Sequence, residues 1–172
     1  MKNNLVRYGL QSLVFFILQV VLFRNMALFD LAFCFVYVAI ILSIPFETDR
    51  IVTIFAAFVL GILVDAFYNS LGIHASALVL LAFLRYYWIS AITPQGGYES
   101  NLSPTANSMG GQWYSSYALP LIFMHHFALF FVEAGGFSSF GYSFLKVILS
   151  TFFTFFVIVI IQTLFFRRKR SI

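Results

Sequence analysis

Charged residues are scarce in this chain. They make up 9% of the sequence, whereas an average soluble domain carries roughly a quarter. The few charges lie at the edges of long apolar runs, as is typical of helices that cross a bilayer. This scarcity excludes an ordinary soluble domain and predicts an integral membrane protein.

Cysteine and catalytic motifs are also nearly absent. Cys34 is the only cysteine, so no internal disulfide can form, and we interpret it as a small buried apolar side chain. The sequence contains no HExxH, no GxSxG and no glycine-rich phosphate loop. We therefore predict no catalytic residues, no metal and no cofactor, and we do not expect an enzyme.

What the chain has instead is six apolar runs. They lack the alternation of barrel strands, so they predict an all-α membrane protein, a six-helix bundle in a single domain over residues 1–172. The second and fifth runs are short for a helix that crosses a bilayer. The predicted spans are approximately 5–23, 28–44, 51–67, 73–92, 118–132 and 142–166.

The first run looks at first like a secretory signal, because Lys2 and Arg7 precede it. No small-residue cleavage pattern follows, and Arg24 closes the run. We therefore expect it to be retained as the first helix.

The basic residues predict the orientation. With six spans and both termini cytoplasmic, most of the ten lysines and arginines lie on the cytoplasmic side, as the positive-inside rule requires. Only Arg24 and Lys146 lie on the outer side of the membrane in this arrangement. The terminal cluster is interpreted as an orientation signal and a contact for anionic lipids, not nucleic acid; it consists of Arg167, Arg168, Lys169 and Arg170.

The long polar segment 93–117 is predicted to lack regular structure, because Gly, Ser, Asn and Pro dominate it. It is interpreted as a connector on the membrane surface, with a docking loop for a cytoplasmic partner as the alternative. Trp113, Tyr114 and Tyr117 are expected at the headgroup level, where Trp113 could contact lipid or a partner.

Two adjacent histidines raise the question of an active site. His125 and His126 precede Glu133 at helical spacing. Adjacent helix positions point about 100° apart, so both rings cannot easily bind one ion. We expect one histidine to bond to a neighbouring helix, and keep an intramembrane enzyme as a minor alternative.

Asp65 lies near the end of an otherwise apolar run. Gly61, Asp65, Tyr68, Asn69 and Gly72 would share one face if the helix continued, alternating small and hydrogen-bonding residues. We expect Asp65 to face the bundle and bond loop amides or hydroxyls, anchoring the turn into the fourth helix. A ligand pocket and a proton or ion relay are the alternatives.

Arg85 lies well inside the fourth run. Its side chain could extend to the inner interface, where it could contact lipid or a partner. Because helix rise places Arg85 at a different depth from Asp65, we do not expect the two to pair.

The stretch LGILVDAFYNSLGIHASALVLLAFLR, residues 60–85, resembles the signature of the MreD family. That signature is a Gly-x-x-x-Asp pattern near the end of the third helix, a short gap, Leu-Gly, and a fourth helix rich in small residues. Gly61, Asp65, Leu71 and Gly72 occupy motif positions. The preceding residues, 29–61, are similar to the family's short second helix and inner turn.

The resemblance implies a non-enzymatic subunit of the bacterial cell-wall elongation (Rod) complex in the inner membrane. Such a subunit binds MreC, works beside MreB, RodA and a penicillin-binding transpeptidase, and helps maintain rod shape. The family's fold is similar to the substrate-binding subunits of energy-coupling-factor transporters. The alternative function is therefore a transporter subunit that binds a small, vitamin-like solute.

Overall fold

Four long helices form the body of the protein. The computed structural model describes residues 2–98 and 102–165, with side chains from residue 8 onward. Its helices and strands are α1 (Lys2–Leu18), a π-helical turn (Gln19–Phe23), β1 (Ala27–Leu28), β2 (Ala32–Phe33), α2 (Val38–Leu42), α3 (Arg50–Tyr68), α4 (Ile73–Ile92), α5 (Ala106–Met109), α6 (Gly111–Glu133) and α7 (Phe140–Phe165).

The long helices are those expected to cross a membrane. α3, α4, α6 and α7 are each long and apolar enough to do so. α1 and its π-helical continuation add a shorter apolar helix, Tyr8–Phe23. The prediction of an all-α membrane protein is confirmed at this level. The predicted boundaries of the third, fourth and sixth runs agree with α3, α4 and α7 to within about two residues.

The second predicted span, 28–44, is not a continuous helix. β1 and β2 form a two-stranded antiparallel hairpin, residues 34–37 carry no helical assignment, and only Val38–Leu42 is α-helical. Irregular backbone is tolerated at membrane depth where protein surrounds it. That condition holds here, since residues 34–39 are all 5% exposed or less.

The polar segment 93–117 is more ordered than predicted. Thr105 caps α5 through a reciprocal hydrogen-bond pair with Ser108, and α6 begins at Gly111 instead of near residue 118. The prediction that this segment lacks regular structure is therefore wrong for residues 106–109 and 111–117, whereas residues 102–105 lie in no helix or strand. Composition misled here because small polar residues also make good helix caps.

The bundle has two ends that differ in structure. One, the hairpin end, carries the β1–β2 hairpin, the α3–α4 turn and the α6–α7 turn. The α5 end carries α5 and the turn 45–49, where Phe46 stacks on Tyr98 with ring centres 4.0 Å apart. Segment 33–44, the irregular segment, runs between these ends through the core, against α1, α4, α6 and α7.

Candidate functional site

Asp65 joins α3 to the following turn and to the start of α4 through three hydrogen bonds. Its carboxylate, 4% exposed, accepts from Ser70 Oγ at 2.5 Å and from the backbone N–H groups of His74 and Ala75 at 3.0 Å each. The residue before α4 is Gly72, which has no side chain to cap the helix. Asp65 supplies that cap from α3, and its negative charge suits a helix N-terminus. The predicted bonding of Asp65 to amides and a hydroxyl is confirmed.

Gly61 allows α3 and α4 to touch one turn before Asp65. A Cβ added at Gly61 would lie 2.3 Å from the Ala75 Cα, closer than any real contact. The two helices therefore meet backbone to backbone, with no room for a side chain. This is the close approach that small residues permit between membrane helices.

The predicted polar face does not continue past Tyr68. Asn69 and Gly72 both adopt left-handed backbone conformations, with φ of 54° and 84°, so the helix ends and the chain turns. Leu71, between them, is fully exposed. The condition for one shared face, a helix that continues past Tyr68, is not met, because the turn residues Asn69 and Gly72 end the helix.

Side chains of α7 hold one edge of the irregular segment. The N–H of Phe33 donates to Ser150 Oγ at 2.9 Å, and the N–H of Phe35 donates to Thr154 Oγ1 at 3.0 Å. Ser150 and Thr154 are four residues apart, so they share one face of α7. The N–H groups along the edge of a strand normally donate to the carbonyls of a neighbouring strand. Here they donate to two hydroxyls that lie one helical turn apart on α7.

Gln19 of the π-helical turn holds the rest of the segment. It is fully buried, accepts from the N–H of Tyr37 at 3.3 Å, and donates to the carbonyl of Cys34 at 3.1 Å. Its amide nitrogen also donates to the Tyr68 hydroxyl at 2.6 Å. One amide thus connects α1, the irregular segment and the end of α3.

Tyr37 stands between two histidines in the centre of the bundle. Its hydroxyl lies 2.8 Å from His74 Nδ1 and 2.8 Å from His125 Nε2, and Tyr37 and His125 are both fully buried. A tyrosine hydroxyl has one proton. The hydroxyl therefore donates its proton to one of these ring nitrogens and accepts a hydrogen bond from the other. The nitrogen that donates to the hydroxyl must itself carry a proton.

His126 bonds elsewhere, as the angle between adjacent helix positions requires. Its Nδ1 donates to the carbonyl of Ile122 at 2.7 Å, and its Nε2 lies 3.2 Å from Thr154 Oγ1. The expectation that one histidine bonds across to a neighbouring helix is confirmed by His126, whose partner Thr154 lies in α7. The partner of His125, Tyr37, lies outside the helices. Glu133 is exposed at the end of α6. Among the described residues, no group of three or more His, Cys, Asp or Glu side chains could hold a metal.

Arg85 closes the other end of the irregular segment. Only 3% exposed, it donates from Nε to the Tyr117 hydroxyl at 2.7 Å and from Nη2 to the carbonyl of Ile44. Tyr117 in turn donates to the carbonyl of Leu42 at 2.9 Å. These bonds occupy carbonyls at the C-terminal end of α2, where a cation is favourable. Arg85 and Asp65 thus have separate partners, as expected.

The aromatic residues at the start of α6 lie inside the bundle. Tyr114 and Tyr117 are fully buried, so their side chains face the interior of the bundle, and their depth relative to the lipid headgroups stays a prediction. Trp113 is half-buried and stacks on Tyr117 with ring centres 5.0 Å apart. It helps to close the α5 end. The predicted basic cluster Arg167, Arg168, Lys169 and Arg170 lies outside the described residues.

The sequence interpretation missed four residues that organise the interior. Gln19, Tyr37, Thr154 and Gln162 are fully buried and bond distant parts of the chain; Gln162, for example, accepts from the N–H of Ala106 at 2.9 Å and donates to the Tyr114 hydroxyl at 3.2 Å. One signal was present. The two glutamines interrupt otherwise apolar runs, and polar side chains in spans usually face the protein interior.

Taken together, the buried polar groups join separate segments of the chain to one another. Asp65 joins two helices, Gln19 joins α1 to the irregular segment, and Tyr37 joins that segment to α4 and α6. Such networks favour one arrangement of the segments over others when their members are bonded. Compared with known proteins, the chain matches no family model, no curated protein and no solved structure.

Proposed function

We propose that the chain is a non-enzymatic membrane scaffold of the bacterial cell-wall elongation complex, an MreD-like subunit that binds the membrane anchor of MreC. MreB, RodA and a penicillin-binding transpeptidase would be the other members of the complex, and rod shape the cellular outcome. The observation that carries the proposal is the 60–85 stretch. Two of its motif residues, Gly61 and Asp65, both contribute to the close packing of α3 against α4.

The distribution of polar and apolar residues also supports a scaffold. The buried polar groups around Asp65 and Gln19 are bonded within the chain, which suits a rigid body more than a reaction centre. Outside, α3 carries a row of exposed apolar side chains, including Phe55, Phe58 and Ile62. A row of this kind offers room for a partner helix as well as for lipid.

Photo-crosslinking in cells tests the scaffold. A photoreactive amino acid at Phe55 or Phe58 on α3, or at Phe152 or Phe156 on α7, all exposed positions, should capture MreC from at least one helix and not from both equally. Capture should fall when Gly61→Val is introduced, because the α3–α4 junction opens. If no exposed position on α1, α3, α4, α6 or α7 captures MreC, the scaffold proposal is wrong.

We further propose six crossings with both termini cytoplasmic, segment 28–44 being the second. The hydrogen bonds support this, since Phe33 bonds Ser150 towards the hairpin end and Ile44 bonds Arg85 towards the α5 end. In a Cys34→Ala background, an impermeant maleimide should label Phe29→Cys in intact cells and Glu47→Cys only after permeabilisation. Labelling of both positions from one side would exclude this crossing.

A second candidate is the solute-binding subunit of a transporter, with a fold similar to energy-coupling-factor subunits. The interrupted segment 33–44 favours it, because broken membrane segments are typical of transporter binding sites. Neighbouring genes discriminate between the two candidates. An adjacent gene for MreC supports the scaffold, and adjacent ATPase genes support transport.

A further inference from the structure

A cavity of about 250 Å³ lies at the α5 end of α3 and α4. Its floor is buried and consists of Thr53, Ala82 and Arg85, whereas Tyr86 and Ser90 at its rim are exposed. The cavity is therefore open on the side of Tyr86 and Ser90, two residues of α4. The residues that line it are Phe46, Thr48, Arg50, Thr53, Ala82, Arg85, Tyr86, Ile89 and Ser90.

The lining carries two positive charges and no carboxylate. The charges are those of Arg50 and Arg85. Arg85 is 3% exposed and its hydrogen bonds go to neutral oxygens, the Tyr117 hydroxyl and the Ile44 carbonyl. A guanidinium held this far from water is costly without a counter-ion. An anion in the cavity would remove that cost.

Two acidic residues, Glu47 and Asp49, lie on the loop before α3, and neither is part of the cavity lining. Asp49 caps α3, accepting from the N–H groups of Ile51 at 2.7 Å and Val52 at 3.2 Å. Its carboxylate is exposed. The cavity thus keeps its net positive charge.

Aromatic rings of the kind found at the level of lipid headgroups surround the Arg50 side of the cavity. The Arg50 guanidinium lies over the rings of Phe83, Tyr86 and Tyr87, at 4.5, 5.3 and 4.9 Å from their centres. Tyr86 and Tyr87 are about half exposed. Exposed tyrosines at the end of a spanning helix are typical of the membrane–water interface.

We propose that this cavity binds an anionic phosphate group, carried by the headgroup of an acidic phospholipid that enters on the side of Tyr86 and Ser90. Guanidinium groups bind phosphate oxygens through paired N–H donors, and the hydroxyls of Thr48 and Ser90 line the same space. The acyl chains would then lie along the exposed apolar side of α3 and α4. This site does not depend on the scaffold role, since either can exist without the other.

Native mass spectrometry of the purified full chain tests the site. The protein is offered equal amounts of phosphatidylglycerol and phosphatidylcholine with identical acyl chains. The expected result is preferential retention of phosphatidylglycerol, reduced about tenfold in Arg50→Gln, which removes one cation, and in Ser90→Trp, which blocks the rim without changing the charge. Arg24→Gln is the matched control, because Arg24 is exposed at the hairpin end and the charge change is the same.

Three outcomes decide the result. Equal losses in Arg24→Gln and Arg50→Gln would mean a general charge effect and would overturn the proposal, as would full retention in Ser90→Trp. Retention of both lipids in equal amounts would also overturn it. A separate arm tests the source of the phosphate. If inorganic phosphate raises the thermal unfolding midpoint of the wild type but not of Arg50→Gln, and phosphatidylglycerol does not, the anion is a soluble phosphate and the lipid assignment is wrong.

Discussion

The α3–α4 pair and the irregular segment, residues 33–44, differ in how their backbone hydrogen bonds are satisfied. Both contain buried backbone, in which every N–H and C=O needs a partner. α3 and α4 satisfy their own backbones as helices, and side chains are needed only where the helices meet, at Asp65. In segment 33–37 the carbonyls of residues 35–37 accept from backbone N–H groups of residues 38–40. The N–H groups of Phe33, Phe35 and Tyr37, however, donate to side chains of Ser150, Thr154 and Gln19.

The difference lies in where each region is vulnerable. The α3–α4 pair depends on close packing at one point, so adding volume there should be the most damaging change. Segment 33–37 depends on polar side chains from elsewhere, so removing a hydrogen bond should matter more than changing volume.

The largest effect is expected from Gly61→Val. A Cβ at this position would collide with the Ala75 backbone at 2.3 Å, and backbone cannot move aside as a flexible side chain can. We expect a loss of stability of more than about 3 kcal/mol, at the upper end of what overpacking costs. Denaturation of the purified protein in mixed micelles, followed by circular dichroism, measures it.

Gly141→Ala is the control for that change. Gly141 also lies in a helix, but nothing stands within 4 Å of an added Cβ, and Ala has the higher helix propensity. Stability should be unchanged or slightly higher. A Gly61→Val protein as stable as the Gly141→Ala protein would mean that α3 and α4 are not in backbone contact.

Asp65→Leu should have the next largest effect. It leaves the hydroxyl of Ser70 and the N–H groups of His74 and Ala75 without their acceptor, at a cost of about 3 kcal/mol. Asp65→Asn keeps one acceptor oxygen and should cost about half as much. The same micelle denaturation compares the two variants, and the amount of assembled protein in membranes provides a second measure. Equal losses would show that the charge, and not the anchoring hydrogen bonds, is what matters.

How far the sequence could predict these two regions follows from the distance between partners along the chain. Gly61, Asp65 and Ala75 lie within fifteen residues of one another, so their spacing is visible in the helical pattern. The side-chain hydrogen-bond partners of segment 33–37 lie far from it along the sequence. Phe35 bonds Thr154, 119 residues away, and no local pattern contains that information.

The same reason explains why hydrophobicity misled the interpretation of residues 28–44. Cys34, Phe35, Val36 and Tyr37 are apolar enough to suggest a helix, and hydrophobic runs do not distinguish a buried helix from a buried extended segment. The candidate site was predicted in part for a similar reason. Asp65 and Arg85 stand out as charges in apolar runs, whereas Tyr37 does not, although it lies 2.8 Å from two histidines.

The last and smallest effect concerns two buried glutamines on the first helix. Gln19 bonds Cys34, Tyr37 and Tyr68, so Gln19→Leu leaves buried backbone groups of the irregular segment without partners and should cost about 2 kcal/mol. Gln11 is also buried, at 5% exposure, but its amide nitrogen has no hydrogen-bond partner among the described residues. Gln11→Leu removes the amide together with the free-energy cost of burying its unpartnered nitrogen. The stability of this variant should therefore stay within about 0.5 kcal/mol of the wild type.

Because both variants make the same chemical change on the same apolar helix, any effect of hydrophobicity on membrane insertion cancels in the comparison. The difference between their denaturation midpoints therefore isolates the hydrogen bonds of Gln19. If the two variants were equally stable, the irregular segment would not depend on side chains from α1. The contrast with the self-sufficient α3–α4 pair would then rest on Ser150 and Thr154 of α7 alone.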